Sequence, residues 1–163
     1  MPSAIRRIAP FALLLVAFLL PSLGAARSER SAAPIRFRDG GSQTAEFIGY
    51  SRSITLTPAQ QERKNRVLGS IPAPCCKDYS VATCCCPCNL AKSVWGLSNL
   101  LVARKNVTDA QLEVSVKEWL RFVNARGFSG DACYSGGCGR PLASNGCGGM
   151  DEKKLVISRD DKD

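Results

Sequence analysis

Hydrophobic side chains recur at helical spacing in the second half of the chain. Five of them share one face: Leu112, Val116, Trp119, Leu120 and Val123. Recurrence at every third or fourth position predicts an amphipathic α-helix with that face turned to a core. Thr108-Asp109-Ala110-Gln111 forms a capping box at its start, and Gly127 is expected to end the run.

Two more helices are predicted upstream. Thr57-Pro58-Ala59-Gln60 repeats the capping box, so a helix should run from Pro58 to Leu68 and stop at Gly69. The other should run from about Asn89 to Lys105 along a stripe of apolar side chains, which are Leu90, Val94, Leu97 and Leu101. The short link at Asn106-Val107 predicts an antiparallel hairpin with the last helix, joined by Trp95 and Trp119 as core residues.

The fold class predicted is mainly α: a small three-helix domain over residues 57–150, ending in a helical hairpin, with cysteine-rich loops stapled by disulfides or metal. Residues 27–56 are polar apart from short apolar groups around Asp39-Gly40-Gly41. They are expected to be a poorly ordered leader of marginal strand character. The mixed-charge tail over residues 151–163 is expected to be disordered.

The first 26 residues have the pattern of a cleavable signal peptide. Arg6-Arg7 precede an apolar run from Ile8 to Leu20, and Gly24-Ala25-Ala26 offers small residues for cleavage. The run is short for a bilayer span, so no stable membrane anchor is expected after cleavage. A periplasmic or secreted protein is predicted; Arg6-Arg7 leaves open whether export follows the general or the twin-arginine route.

Composition removes several function classes. The chain contains no histidine, which excludes Cys-His or Ser-His nucleophilic pairs and mixed Cys/His zinc sites. Basic residues outnumber acidic ones by 22 to 14 but are interleaved with them, without the basic stripe that a nucleic-acid partner selects. If the protein is an enzyme at all, its chemistry must rest on other side chains, with cysteine the main candidate.

Nine cysteines fall into two groups. The first group precedes the second predicted helix and contains Cys75, Cys76, Cys84, Cys85, Cys86 and Cys88; the second group follows the last helix and contains Cys133, Cys138 and Cys147. An antiparallel hairpin brings these two chain regions to the same end of the fold. One nine-sulfur patch is therefore predicted.

The residues leave three uses of this patch open. Disulfides would stabilise a small exported domain, but nine is odd and contiguous cysteines pair with each other only under strain. Thiolates could instead hold a soft metal, Cu(I) or Zn(II), with Cys84, Cys85, Cys86 and Cys88 as the centre, supported by Cys75 and Cys76. Cys88 lies beside a helix N-terminus, which favours a thiolate. Cys133, Cys138 and Cys147 would complete that site or form disulfides around it.

The third use is a redox-active dithiol. The order of a capped helix ending in Ile71-Pro72-Ala73-Pro74-Cys75, a dense cysteine motif and a helical hairpin resembles small exported bacterial proteins with a Pro-Cys-Tyr-Cys-Gly-Cys motif. More distantly it resembles the three-helix thiol-reductases of cytochrome c maturation. The second resemblance implies redox roles for Cys85 and Cys88, whose spacing is Cys-x-x-Cys, and either use implies a redox or metal-delivery partner protein.

Overall fold

The computed structural model describes residues 35–104 and 107–158, and within these ranges the fold is mainly helical, as predicted. Four α-helices follow one another: α1 (Gly40–Ser53), α2 (Pro58–Gly69), α3 (Asn89–Ala103) and α4 (Asp109–Val123). Two short 3₁₀ turns, Gly137–Gly139 and Leu142–Ser144, lie in the glycine-rich segment after α4. The predicted signal peptide and residues 159–163 lie outside the described residues.

The helix starts of α2 and α4 agree with the predicted capping boxes. Thr57 accepts from the backbone N–H of Gln60, while the Gln60 side chain accepts from the backbone N–H of Thr57. Thr108 and Gln111 repeat this exchange at the start of α4. Each pair satisfies donors that the first turn of a helix leaves without a partner, so the sequence signal defines the boundary.

The hairpin of α3 and α4 is antiparallel. The indole N–H of Trp119, near the end of α4, donates to the hydroxyl of Ser93, near the start of α3, at 3.1 Å. Trp119 is fully buried, and Trp95 is partly buried with its indole N–H on the carbonyl of Val81. The start of α3 and the end of α4 therefore lie at one end of the molecule.

The leader predicted over residues 27–56 is wrong for the part that forms α1. Asp39 caps this helix by accepting from the backbone N–H of Ser42, and Phe47 and Ile48 are buried. The pattern Asp39-Gly40-Gly41 fits a turn as well as a helix start, and glycine is a poor helix former. Tertiary packing, rather than local propensity, stabilises this helix.

The packing partner of α1 is α3, and the two helices touch at Gly96. A Cβ atom at Gly96 would overlap the backbone carbonyl of Phe47 and lie 2.8 Å from the backbone nitrogen of Ser51. The absence of a side chain there lets the two backbones meet. The aromatic rings of Phe47 and Trp119 pack edge to face, with centroids 4.9 Å apart, and so join α1 to α4 as well.

The expectation of a disordered tail is wrong over residues 151–158. Leu142 and Ala143 donate backbone hydrogen bonds to the carbonyls of Val156 and Ile157, and Glu152 forms ion pairs with Arg52 and Lys92. The apolar pair Val156 and Ile157 within the charged stretch explains this attachment, because both are partly buried. None of the described helices is long and apolar enough to cross a bilayer.

Candidate metal centre

Two irregular chain segments, each of which carries cysteines, pair through backbone hydrogen bonds. Lys77 donates to the carbonyl of Gly130 at 2.7 Å, Gly130 to that of Pro74 at 3.0 Å, and Cys133 to that of Cys75 at 2.9 Å. These bonds hold the loop after α2 against the loop after α4. The first cysteine group and the second therefore meet without any bond between sulfurs.

The glycine-rich segment then folds back tightly. A Cβ atom at Gly137 would overlap the carbonyl of Ala132, and one at Gly146 would overlap that of Arg140. Gly148 and Gly149 have φ angles of 71° and 85°, which favour glycine. Glycine at these positions allows the segment to bring its last cysteine inwards.

This segment also caps α3. Asn89 and Leu90 donate their backbone N–H groups to the carbonyls of Gly149 and Cys147, at 2.9 and 3.1 Å. The Asn89 amide donates to the carbonyls of Gly148 and Asp151, each at 2.9 Å. The first N–H groups of a helix lack partners within it, and here residues 147–151 supply the acceptors, which fixes Cys147 beside Cys88 at the N-cap of α3.

Five cysteines, called here the outer sulfurs, form a connected group that reaches the surface: Cys76, Cys85, Cys86, Cys133 and Cys138. The Sγ atoms of Cys76 and Cys85 are 3.1 Å apart, and those of Cys85 and Cys133 are 3.3 Å apart. Two trios have all their Sγ atoms within 4.8 Å of one another, namely Cys76, Cys85 and Cys133, and Cys86, Cys133 and Cys138. Cys133 belongs to both trios, and Cys85 is exposed.

Four cysteines, called here the inner sulfurs, lie deeper: Cys75, Cys84, Cys88 and Cys147. The Cys75 thiol interacts with the thiols of the other three, and Cys88 interacts with Cys84 and Cys147. Cys75, Cys88 and Cys147 are 0% exposed, and Cys84 is partly buried. Cys86 interacts with Cys85 and Cys88, so the two groups are continuous and all nine sulfurs form one network.

Mutual proximity favours the protonated thiol at most of these positions. Desolvation and the neighbouring Cys76 raise the pKa of Cys85 to about 12, although the residue is exposed. Cys75 lowers the pKa of Cys84, but Cys88 and burial outweigh it and raise that pKa to about 11. Hydrogen bonding to Cys147 and Cys84 raises the pKa of Cys75, and Cys85 raises that of Cys133. A bound cation would counter this effect, because positive charge favours the thiolate form.

The sequence did not indicate a tyrosine–aspartate pair beside the outer sulfurs. The Tyr134 hydroxyl donates to the Asp78 carboxylate at 2.5 Å and accepts from the Cys76 thiol at 3.6 Å. Asp78 and, to a smaller degree, Cys76 raise the pKa of Tyr134. The only sequence signal for this pair is that Tyr134 directly follows Cys133 in the chain. The Tyr134 hydroxyl is therefore a polar contact of the Cys76 sulfur, which is a candidate metal ligand.

The outer trios fit a soft metal ion. A metal–thiolate bond of about 2.3 Å sets ligand sulfurs about 3.8–4.0 Å apart in tetrahedral or trigonal geometry. The Sγ distances of 3.1 Å to at most 4.8 Å lie within about 1 Å of that range, which side-chain rotation can supply. Cysteine groups of this structure could therefore hold a metal ion, and sulfur-only ligands select soft metals.

No family model, curated protein or solved structure matches this chain.

Proposed function

We propose that this protein is exported and binds Cu(I) or Zn(II) through its thiolates, with Cu(I) favoured at the outer sulfurs. One observation carries the choice: the two outer trios share Cys133. A shared thiolate bridges two ions, as soft sulfur ligands do with Cu(I), which is satisfied by two or three thiolates. Zn(II) in a structural site takes four ligands, which neither trio supplies alone.

Access supports binding and exchange of metal at the outer sulfurs. Cys85 is exposed, Cys86, Cys133 and Cys138 are partly buried, and Cys76 is buried, so an incoming ligand can reach the group from the side of Cys85. Transfer between proteins proceeds by exchange of thiolates, which requires such an open side. A metal-delivery partner would dock here, and Cys85 would make the first contact.

A thiol–disulfide function is the alternative that one observation favours. Cys85 has two candidate partners at close range, Cys76 and Cys133, and could pair with either. However, a reactive thiol needs a lowered pKa, whereas that of Cys85 is raised to about 12. The metal function is therefore the one we put first.

Competition with a coloured Cu(I) chelator tests the metal function. The full chain is reduced, kept without oxygen and titrated with Cu(I), and the bound copper is counted by native mass spectrometry. Exchanging both Cys85→Ser and Cys133→Ser should remove copper from both trios, because one member is common to them. Ser135→Ala, in the same loop, is the matched control and should leave the stoichiometry unchanged.

Two results would contradict the metal function. One is an unchanged copper count in the double variant. The other is a parent protein that takes up no copper and carries four disulfides between chain segments. Export is tested separately by the N-terminus of the protein recovered outside the cytoplasm, which should begin near Arg27; intact chain confined to the cytosol would contradict it.

A further inference from the structure

A pocket of about 380 Å³ lies between α1, α2 and α3, and no cysteine lines it. Side chains from the end of α1, from one face of α2 and from the first part of α3 form its walls, together with Glu152 of the C-terminal segment. Pockets that bind small molecules in proteins measure roughly 300–1,000 Å³, so this one has room for a small ligand.

Lys64 places a positive charge in this pocket that no carboxylate balances. The residue is 8% exposed, and its ammonium donates to the side-chain oxygen of Asn99 at 2.8 Å. The Asn99 amide nitrogen donates to the carbonyl of Ile54 at 3.3 Å, which holds the amide oxygen towards the ammonium. An ammonium has three protons to donate, yet within the described part of the chain Asn99 is its one hydrogen-bond partner.

Burying a charge is costly unless the charge is paired. Within the described ranges no carboxylate lies within 4 Å of the Lys64 ammonium. Burial lowers the pKa of Lys64, which is the direction expected when no neighbouring negative charge supports the ammonium. The pocket therefore contains a cation that an anionic ligand would complete.

The other charges around the pocket also favour an anion. Three basic side chains, Arg52, Lys64 and Lys92, line it with a single carboxylate, that of Glu152. Glu152 is already engaged in ion pairs with Arg52 and, at 3.1 Å, with Lys92. The lining thus carries an excess of positive charge, and a cleft of one sign attracts ligands of the opposite sign.

Apolar surface in the same pocket narrows the class of anion. The indole N–H of Trp95 is bonded to the carbonyl of Val81 at 2.8 Å, so Trp95 offers the pocket its ring surface. Ala82 and Pro87 add apolar surface. Inorganic phosphate or sulfate would leave these groups uncovered, whereas a carboxylate on a small apolar body would use both the charge and the ring.

We propose that this pocket binds a small organic carboxylate, whose anionic group pairs with the Lys64 ammonium and whose apolar body packs on Trp95. Binding is noncovalent: ammonium protons that Asn99 does not use donate to the carboxylate oxygens. The ligand supplies the negative charge that the buried lysine lacks. This binding activity goes beyond the metal function and does not depend on it, because no cysteine lines the pocket.

Titration calorimetry of the reduced, metal-free full chain with phenylacetate tests the proposal. One equivalent should bind, and phenylacetamide, which has the same body without the charge, should bind at least about tenfold more weakly. Inorganic phosphate should also bind at least about tenfold more weakly, because it covers no apolar surface. Equal binding of phenylacetamide or of phosphate, or no binding of phenylacetate, would overturn the proposal.

Lys64→Met removes the charge from a side chain of similar shape and should weaken phenylacetate binding at least about tenfold. Lys117→Met, on α4 and outside the pocket, is the matched control and should bind as the parent does. Unchanged affinity in Lys64→Met, or an equal loss in both variants, would count against the site.

Because Lys64→Met alters a buried position, a further measurement uses the parent protein alone. In nuclear magnetic resonance spectra of the isotope-labelled full chain, phenylacetate should shift the indole N–H signal of Trp95 until the pocket is saturated. The indole N–H of Trp119, which is bonded to Ser93 in the core, should not move. A Trp95 signal that stays in place at saturating phenylacetate would overturn the assignment.

Discussion

The backbone N–H of Leu90 donates to the carbonyl of Cys147 at 3.1 Å. This bond joins the first turn of α3 to the last cysteine of the chain. It makes the meeting of Cys88 and Cys147 a property of the backbone, so the sulfur network would be organised before any metal bound. Preorganisation of this kind lowers the entropy that binding must overcome.

The substitution Gly96→Ala tests the crossing of α1 and α3. The added methyl would overlap the Phe47 carbonyl, so the helices must separate, and we expect a loss of about 3 kcal/mol in the free energy of unfolding. Urea denaturation followed by circular dichroism measures it. Gly49→Ala is the control, because a Cβ there meets nothing within 4 Å, and should stabilise α1 by about 0.5–1 kcal/mol. Equal effects at the two positions would contradict the crossing.

The ion pairs of Asp109 should make stability depend on pH. Arg63 and Arg66, at 2.5 and 3.0 Å, lower the pKa of this carboxyl below its usual 3.8. A lowered pKa in the folded state gives stability that is complete above pH 3.8 and is lost as the pH falls through the folded value. Asp109→Asn should therefore cost about 0.5–1 kcal/mol at pH 7, since the group is half exposed, and nothing in strong acid.

Glu113→Gln is the control for Asp109→Asn. Its partner Lys117 lies on the same helix, four residues on, whereas Asp109 links α4 to α2. Chemical denaturation across pH 2–7 should show a smaller change at Glu113. A penalty for Asp109→Asn that persists at pH 2 would mean that packing, and not charge, is responsible.

Tyr134→Phe should weaken metal held by Cys76. When that thiol loses its proton to solvent as metal binds, the Tyr134 hydroxyl at 3.6 Å can turn its single proton from the Asp78 carboxylate to the sulfur. Loss of a hydrogen bond to a metal ligand weakens affinity by about tenfold or more. Copper competition should show weaker binding at unchanged stoichiometry. Tyr79→Phe, an exposed ring on the neighbouring loop, should bind as the parent does; equal weakening in both would argue against the contact.

Local signals predicted three of the four helices that the described residues form, and failed for α1. The caps at Thr57 and Thr108 and the apolar stripe of α3 are readable over a few residues. The stability of α1 depends instead on Gly96, which lies more than forty positions away. The need for glycine there becomes visible only when α1 and α3 are packed together. Asp39 and the spacing of Phe47 and Ile48 carried a weaker signal that was overridden by Gly40-Gly41.

The membership of the sulfur network followed from the sequence, but its division did not. Cys75 and Cys76 are neighbours in the chain, yet one contacts Cys147 and the other contacts Cys85. Adjacent side chains in an irregular segment point in different directions. Cysteines that are neighbours in the sequence therefore need not be ligands of the same site. The fold-back at Gly137 and Gly146, which decides the partners, depends on long-range backbone contacts.

The capping of α3 by the last loop also has a consequence for biosynthesis. Cys88 leaves the ribosome 59 residues ahead of Cys147, an interval of about 3–12 s at ordinary elongation rates. During that interval three inner thiols wait without the fourth, and the first turn of α3 lacks the carbonyls of Cys147 and Gly149. A chain that stops short of Gly146 can complete neither the cap nor the four-sulfur set.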